Sequence, residues 1–176
     1  MTDEEIENLN FGDWPIPENF LKDIGRVAVL WGGLEGFLGL CIGKLSGFND
    51  LGDPIPFILT AHSSFQQKID ILETLCEQLA PRFDDLMDYK EVTKKIRAVQ
   101  CKRNEFMHQG FYFDPETGLV EMAKGTARGS LKTSISQRSF AEIRKVAMEI
   151  HEAHLALYKL VLKREMKPIW ERKSPE

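Results

Sequence analysis

The segment FDDLMDYKEVTKKIRAVQCKRNEFMH, residues 83–108, has the apolar spacing of a long helix. The residues that recur at intervals of three and four are Val92, Ile96, Val99, Arg103 and Phe106. Arg103 therefore lies where an apolar side chain is expected. Because a charge on a core stripe must be paired or must face a polar cavity, this arginine is predicted to be more than an ordinary surface residue.

The same segment ends in a histidine, His108. Arg103 and His108 are five positions apart, which places them about 140° apart around an ideal helix. For both side chains to reach one ligand, the helix must end or distort near Met107. Gly110 follows closely, and glycine is a residue type that commonly ends helices. The alternative is that the two side chains converge across the interface of a dimer.

Two further helices are predicted on the N-terminal side of this segment. Pro17 and a long apolar stripe predict a first helix over residues 17–45. Ser64 and Gln67 have the spacing of a capping box, which predicts the start of a second helix that ends at Pro81. The glycine, aspartate and proline residues between these two helices predict a loop over 47–56.

A β-rich insertion and a final helix are predicted on the C-terminal side. Two short apolar runs around a Pro/Gly turn predict a β-hairpin within 111–136, with a flexible basic loop over 124–130 and a third short strand as an option. Ser139 and Glu142 form another capping box, which predicts the start of the last long helix.

The predicted fold class is therefore mainly all-α. We expect an antiparallel bundle of four to five helices, with a small β-hairpin inserted before the last long helix. One domain is expected to cover 1–176, with an N-terminal extension over 1–16 and a polar tail over 164–176.

The first predicted helix also carries a stripe of glycines. They are Gly32, Gly36, Gly39 and Gly43. Each glycine costs a helix about 1 kcal/mol relative to alanine, so four on one face indicate that another backbone approaches closely. That backbone could belong to another helix of the same chain or to the partner in a dimer.

The composition is that of a globular chain, since 43% hydrophobic and 28% charged residues exclude a disordered protein. The net charge of −4 gives no general attraction to nucleic acid, so RNA binding would need a local basic patch. The three widely spaced cysteines indicate neither a disulfide framework nor a zinc site. We expect a cytoplasmic protein with no metal and no cofactor.

The apolar segment 24–45 has a glutamate at its centre, which favours a buried helix over a membrane span.

The run Arg103-Asn104-x-x-x-His108, at the end of a long helix and just before a glycine, resembles the Arg-x4–6-His motif of HEPN domains. This superfamily consists of helical nucleotide-binding proteins and ribonucleases. The helix order over about 20–161 is also similar to that of prokaryotic HEPN families. The hairpin insertion within 111–136 is a departure from the simplest pattern of those families. The resemblance implies a homodimer with the motif in a cleft between two bundles. It further implies a toxin or defence effector, with an antitoxin or regulatory protein as a candidate partner.

The function implied by the resemblance is metal-independent cleavage of RNA. In that reaction Arg103 would stabilise charge on the phosphoryl oxygens, and His108 would act as a general base or acid. Asn104 would orient His108 or donate to the phosphate. The side chains predicted to contact RNA are Lys102, Tyr112, Lys124, Arg128 and Lys132.

Other interpretations of these residues stay open. The domain could be a non-catalytic module that binds a nucleotide or a partner protein, or a structural dimerisation bundle. Arg103 could be the ion-pair partner of an acid such as Glu35, and His108 a cation at a helix C-terminus. The hairpin could contact RNA or merely cap the bundle. His151 and His154 have the spacing of metal ligands, but no third ligand is evident and a core role is predicted for His154.

Overall fold

A computed structural model of the chain describes residues 1–50, 52–127 and 129–172. Within those ranges the helices are α1 (Asp3–Glu7), α2 (Glu18–Leu45), α3 (Ile55–Thr60), α4 (Phe65–Leu79), α5 (Tyr89–Met107) and α6 (Phe140–Leu162). The strands are β1 (Gly110–Asp114), β2 (Leu119–Ala127) and β3 (Leu131–Arg138). Two short 3-10 turns lie at Asp84–Leu86 and Ile169–Glu171.

The predicted all-α bundle of four to five helices with a small hairpin is wrong. The chain is about 61% helical, but it also contains a three-stranded antiparallel sheet, so the fold is mixed and helix-dominant. The basic segment 124–127, predicted as a loop, continues β2 and pairs with 131–134 of β3. The glycine and small polar residues of this segment are typical of loops. Its conformation is instead set by hydrogen bonding to the neighbouring strand β3.

The two predicted capping boxes are confirmed. The Ser64 hydroxyl accepts from the Gln67 N–H at 3.3 Å and the Gln67 side chain accepts from the Ser64 N–H at 2.7 Å, at the start of α4. Ser139 and Glu142 make the same two bonds at the start of α6. These reciprocal bonds satisfy donors that every helix N-terminus leaves without a partner.

The predicted boundaries differ from the structure in two places. The predicted first helix over 17–45 is confirmed as α2. Instead of beginning at residue 83, α5 begins at Tyr89, because the backbone of Phe83 is extended and a 3-10 turn intervenes. The short helix α3 begins within the predicted loop over 47–56, where two prolines obscured it.

The core forms around α2, which contacts α3, α4, α5 and α6. The largest fully buried hydrophobic side chains include Phe20, Leu34, Leu38, Ile69, Leu72, Ile96, Ile143, Ile150 and Leu157. By length and composition alone, α2 is also able to cross a membrane. Core helices of globular proteins meet the same criterion, and 44% of the apolar window of α2 is buried inside this fold.

The sheet packs on one end of the bundle through aromatic side chains. Phe20 of α2 contacts Phe111 of β1, with ring centroids 5.2 Å apart, and Phe140 at the start of α6, at 5.9 Å. Phe113 also stacks on Phe140 at 6.4 Å. Because side chains alternate along a strand, Tyr112 lies on the opposite face, where it is exposed. The inner face of the sheet therefore caps the bundle, and the outer face is open.

The two terminal segments do more than extend the domain. In the predicted N-terminal extension, Ile16 is buried in the core while most of the segment is exposed. The predicted polar tail turns back onto α6, where the Trp170 ring meets the His151 ring edge-on at 5.3 Å. The Ile169 N–H donates to His151 Nε2 at 3.1 Å. We call residues 164–172 the C-terminal strap.

The glycine stripe of α2 divides into two parts. A Cβ built on Gly43 would lie 2.5 Å from the Pro56 ring, and one on Gly39 would lie 3.8 Å from Thr60. Both contacts are with α3, so the close approach predicted within the chain is confirmed at this end. Gly32 and Gly36 face open space.

Candidate functional site

The end of α5 brings the arginine and histidine of the motif together. The helix ends at Met107, and His108 leaves it with φ −123° and ψ 19°. Its ring then turns back so that His108 Nε2 lies 3.2 Å from Arg103 Nη1. The predicted helix end near Met107 is therefore confirmed, and one protomer is sufficient to form the contact.

An aromatic platform on the neighbouring helices supports Arg103. Its guanidinium carbon lies 5.4 Å from the centre of the Trp31 ring of α2. Trp31 packs on Phe65 of α4 at 4.2 Å between centroids. Arginine stacks well on aromatic faces because its charge is delocalised over a plane. The position of Arg103 on an otherwise apolar stripe is explained by this stack.

The interpretation of Arg103 as an ion-pair partner of Glu35 is wrong. Glu35 instead accepts from Lys68 Nζ at 3.3 Å. Arg103 donates to Asn104 Oδ1 at 3.0 Å, from the same Nη1 that contacts His108. Its Nε is buried and has no hydrogen-bond partner among the described residues. An unpaired buried donor costs about 1–3 kcal/mol, and such costs concentrate at functional sites.

The exposed side of the site consists of Asn104 and His108. Asn104 Oδ1 faces Arg103, which leaves the Asn104 amide N–H groups free to donate elsewhere. In this arrangement Asn104 orients Arg103 rather than His108. Arg103 Nη1 can only donate, so a hydrogen bond between the two side chains requires the tautomer of His108 in which Nε2 accepts.

The remaining predicted contact residues do not form one patch with this pair. Lys102 donates to both carboxylate oxygens of Glu149 on α6, at 2.7 and 2.8 Å, so its charge is compensated within the chain. It lies on the side of α5 that faces α6, whereas Arg103 faces α2. Arg128 lies outside the described residues.

The sheet separates the other three predicted contacts. Ala123 pairs with Gly110, so Lys124 lies one residue beyond the start of β1, beside the chain that leaves His108. Lys132 pairs with Thr126, farther along the ribbon and on the same face as Lys124. Tyr112 is 60% exposed and lies on the opposite face. Of the predicted contacts on the sheet, Lys124 is therefore the best placed to reach a ligand held by His108.

Arg97, the other arginine of α5, is also compensated within the chain. Arg97 donates to Asp70 at 2.8 Å and to Glu73 at 2.7 Å on α4. Its hydrogen bond to Asp70 lowers the pKa of that carboxyl group. Arg103 thus differs from Arg97 by contacting a ring, an amide and an imidazole instead of a carboxylate. A guanidinium without a carboxylate partner is suited to receive an anion from outside the chain.

Sequence reasoning did not identify Trp31 as part of the site. The stripe of the first helix indicated a core residue, and Trp31 is indeed 6% exposed. The available signal was that a tryptophan and an arginine occupied core stripes of two adjacent helices. The His154 ring packs on Phe37, with the ring centroids 4.8 Å apart. No cluster of three or more His, Cys, Asp or Glu side chains that could hold a metal occurs in the described part of the chain.

Comparison with family models, with curated proteins and with solved structures finds no match to this chain.

Proposed function

We propose that the protein is a metal-independent endoribonuclease of HEPN type. The observation that carries the proposal is the 3.2 Å contact between Arg103 and His108, held on an aromatic platform and open to solvent on the His108 side. The contact joins a permanent cation to the side chain that best transfers protons near neutral pH. The motif's resemblance to HEPN domains supplies the reaction.

The reaction needs no external nucleophile. The ribose 2′-hydroxyl loses its proton to a base and attacks the adjacent phosphorus, while the bond from phosphorus to the 5′-oxygen breaks and that oxygen takes up a proton. The products are a 2′,3′-cyclic phosphate and a 5′-hydroxyl. His108 would serve as the base or acid, and Arg103 would stabilise charge on the phosphoryl oxygens. For this, the scissile phosphate must enter between the two side chains or displace their contact.

A two-fold dimer would complete this chemistry. One proton must be removed and another supplied, yet each protomer brings a single motif histidine. Two copies of the α5 end in one cleft would bring two. The open face of α2 at Gly32 and Gly36 is available for close approach of a second copy. We therefore propose a homodimer, and light scattering should give twice the chain mass of 20.2 kDa.

The decisive experiment uses a fluorescently labelled RNA oligonucleotide in the presence of EDTA. His108→Ala and Arg103→Ala should each reduce cleavage by at least about a hundredfold, which is the usual contribution of an acid–base group or a charge-stabilising donor. His62→Ala and Arg82→Ala are matched controls at exposed positions and should cleave like the wild type. An oligonucleotide with 2′-deoxyribose should remain intact.

The second candidate is a non-catalytic module that binds a phosphate-containing ligand. It is favoured by the Arg103 contact itself, which already uses the Nε2 atom that would otherwise accept a proton. This candidate predicts that the wild type never cleaves RNA in EDTA but binds it, and that Arg103→Ala removes the binding. Persistent cleavage in both motif variants would exclude the first candidate.

A further inference from the structure

A cavity elsewhere in the fold shares none of its lining residues with the Arg103 site. It has a volume of about 750 Å³ and is bounded by the N-terminal halves of α2 and α6 and by the C-terminal strap. This volume is within the range of small-molecule sites in proteins, about 300–1,000 Å³. The cavity plays no part in the ribonuclease proposal, and the inference drawn from it does not depend on that proposal.

The charges that line the cavity have one sign. Arg26, Arg144 and Lys145 line it, and no Asp or Glu does so among the described residues. This local excess of positive charge occurs in a chain whose net charge is −4. An anion is therefore the complementary occupant.

A buried carboxylate fixes the two arginines in place. Asp23 is 0% exposed. It accepts from Arg144 Nη2 at 3.1 Å and from Nε at 3.3 Å, and it also accepts from Arg26 Nη1. The Arg26 and Arg144 side chains remain 57% and 66% exposed, so their other N–H groups are available. Asp23 compensates one of the three positive charges. It also holds the guanidinium groups of Arg26 and Arg144 at the rim of the cavity, which reduces the conformational entropy lost when a ligand binds.

The rest of the lining is apolar. Leu30, Phe140 and Met148 come from the two helices, and Ile169 and Trp170 come from the strap. Trp170 is 49% exposed although its ring rests on His151, so one face of the ring is free to contact a ligand. A flat aromatic ring, a flexible methionine and fixed cations together suit a ligand with an apolar body and a charged end.

We infer that this cavity binds a small organic anion with an apolar body and a single phosphate, carboxylate or sulfonate group. The anionic group would contact Arg26, Arg144 and Lys145, and the apolar body would lie against Trp170 and Met148. A nucleoside monophosphate and a fatty or aromatic acid share this chemistry, and competition distinguishes them.

The test compares two fluorescent probes with the same ring system. Anilinonaphthalene sulfonate carries the anion, and N-phenyl-1-naphthylamine lacks it. The wild type should bind the sulfonate saturably, one per chain, and at least about tenfold more tightly than the uncharged probe. Equal affinity for the two probes would overturn the inference, since the cations would then contribute nothing.

Ala141 provides a matched pair of variants, because it is exposed, lines the cavity and lies in the first turn of α6. Ala141→Glu places a carboxylate among the cations, and an acidic residue in that turn is favourable for the helix. It should weaken sulfonate binding at least about tenfold and leave the uncharged probe unaffected. Ala141→Gln should resemble the wild type. Unchanged sulfonate binding in Ala141→Glu would refute the site.

Two further comparisons keep the test independent of any one variant. Lys145→Glu should repeat the result of Ala141→Glu, with Lys145→Gln intermediate. Trp170→Ala should weaken both probes, whereas Trp14→Ala, at a tryptophan of similar exposure in the N-terminal extension, should weaken neither. Displacement of the sulfonate by adenosine monophosphate would identify a nucleotide site, and displacement by dodecanoate a fatty-acid site. Displacement by neither at millimolar concentration would overturn the assignment of ligand class.

Discussion

Arg103 is held by an aromatic ring and two polar neighbours rather than by a carboxylate. Truncating an arginine that pairs with a buried acid leaves an uncompensated charge and destabilises the fold strongly. Here the partners are Trp31, Asn104 and His108, which all remain neutral or solvated without it. The contribution of Arg103 to stability can therefore be separated from its proposed role in binding.

Arg103→Met is expected to change the free energy of unfolding by less than about 1 kcal/mol. The lost stack on Trp31 is worth about 0.5–1 kcal/mol, and the variant also removes an unpaired buried N–H. Arg144→Met should cost about 2 kcal/mol or more, because Asp23 is fully buried and loses its bidentate partner. Urea unfolding of both variants makes the comparison. A larger loss for Arg103→Met would show that Arg103 pairs with an acidic side chain in solution.

Part of the site followed from the sequence and part did not. The helix end near Met107 was predicted because Arg103 and His108 cannot share a helical face five residues apart. The ring beneath Arg103 was not predicted, since a stripe assigns a residue to the core without stating what it will touch. The pairing of Lys102 with Glu149 was also hidden, because these residues are far apart in the sequence.

At the scale of elements, the close packing between α2 and α3 depends on the absence of a side chain at Gly43. A Cβ on Gly43 would lie 2.5 Å from Cγ and 2.6 Å from Cβ of the Pro56 ring, which cannot rotate away. The same substitution at Gly36 would meet nothing within 4 Å. Because the two glycines lie on one helix, alanine substitutions at them compare the cost of steric overlap at Gly43 with the gain in helix propensity at Gly36.

Gly43→Ala should lower the free energy of unfolding by about 1–3 kcal/mol through overpacking. Gly36→Ala should raise it by about 0.5–1 kcal/mol, because alanine is the better helix former and the space is open. Thermal unfolding of dilute samples measures both changes. If the two variants shift the melting temperature in the same direction, Pro56 of α3 does not pack against Gly43 of α2.

The two predicted capping boxes, at the starts of α4 and α6, differ in one useful respect: the first contains a glutamine and the second a glutamate. The Ser139 backbone N–H donates to Glu142, which lowers the pKa of that carboxyl group, and Arg138 adds to the effect. A carboxyl group whose pKa is lowered on folding stabilises the fold at high pH. Its contribution is complete above the unfolded pKa of about 4.5 and is lost as the pH falls through the folded value.

Glu142→Gln should therefore cost about 0.5 kcal/mol at pH 7, and progressively less as the pH falls below about 4.5. Urea unfolding at several pH values gives the difference. Gln67→Ala, in the uncharged box, should have the same effect at every pH and serves as the control. A cost of Glu142→Gln that is independent of pH would show that the hydrogen bond, not the charge, stabilises α6.

The extent of the strands in the sheet could not be predicted from the sequence. Capping residues and apolar stripes are local signals, and they located α2, α4 and α6. Strand β2 extends to Ala127 because β3 lies beside it; within 124–127 only Thr126 is of a type that favours a strand. A pairing between segments separated by a turn depends on both partners, so composition alone predicted a loop.

At the scale of the whole molecule, the C-terminal strap contacts α6 through the imidazole of His151 and through an ion pair between Glu165 and Lys159. The Ile169 N–H donates to His151 Nε2, which must be unprotonated to accept. Burial lowers the pKa of His151, nearby Arg172 lowers it further, and Glu152 opposes them. His154, whose pKa is also lowered by burial, is the other imidazole on this part of α6.

Docking of the strap should therefore depend on pH. The unfolded histidine takes up a proton more readily than the docked one, so the contribution is complete above about pH 6.5 and is lost as the pH falls below it. Hydrogen exchange of residues 166–172, corrected for its intrinsic rate, should be faster at pH 5 than at pH 7.5. His151→Phe keeps the packing but removes the acceptor, and should exchange quickly at both values. Equal protection of the wild type at both values would contradict this role of His151.

Two of the three cysteines are buried, which leaves one thiol for selective labelling. Cys41 and Cys76 are buried; burial raises the thiol pKa of both, to about 11 for Cys76, so neither should react with maleimide dyes while the fold is intact. Cys101 is exposed on α5, two residues before Arg103. A fluorophore attached there without any mutation would sit on the helix that ends in the motif. The unmodified chain thus offers a single labelling position from which the approach of a ligand to Arg103 and His108 can be followed by energy transfer.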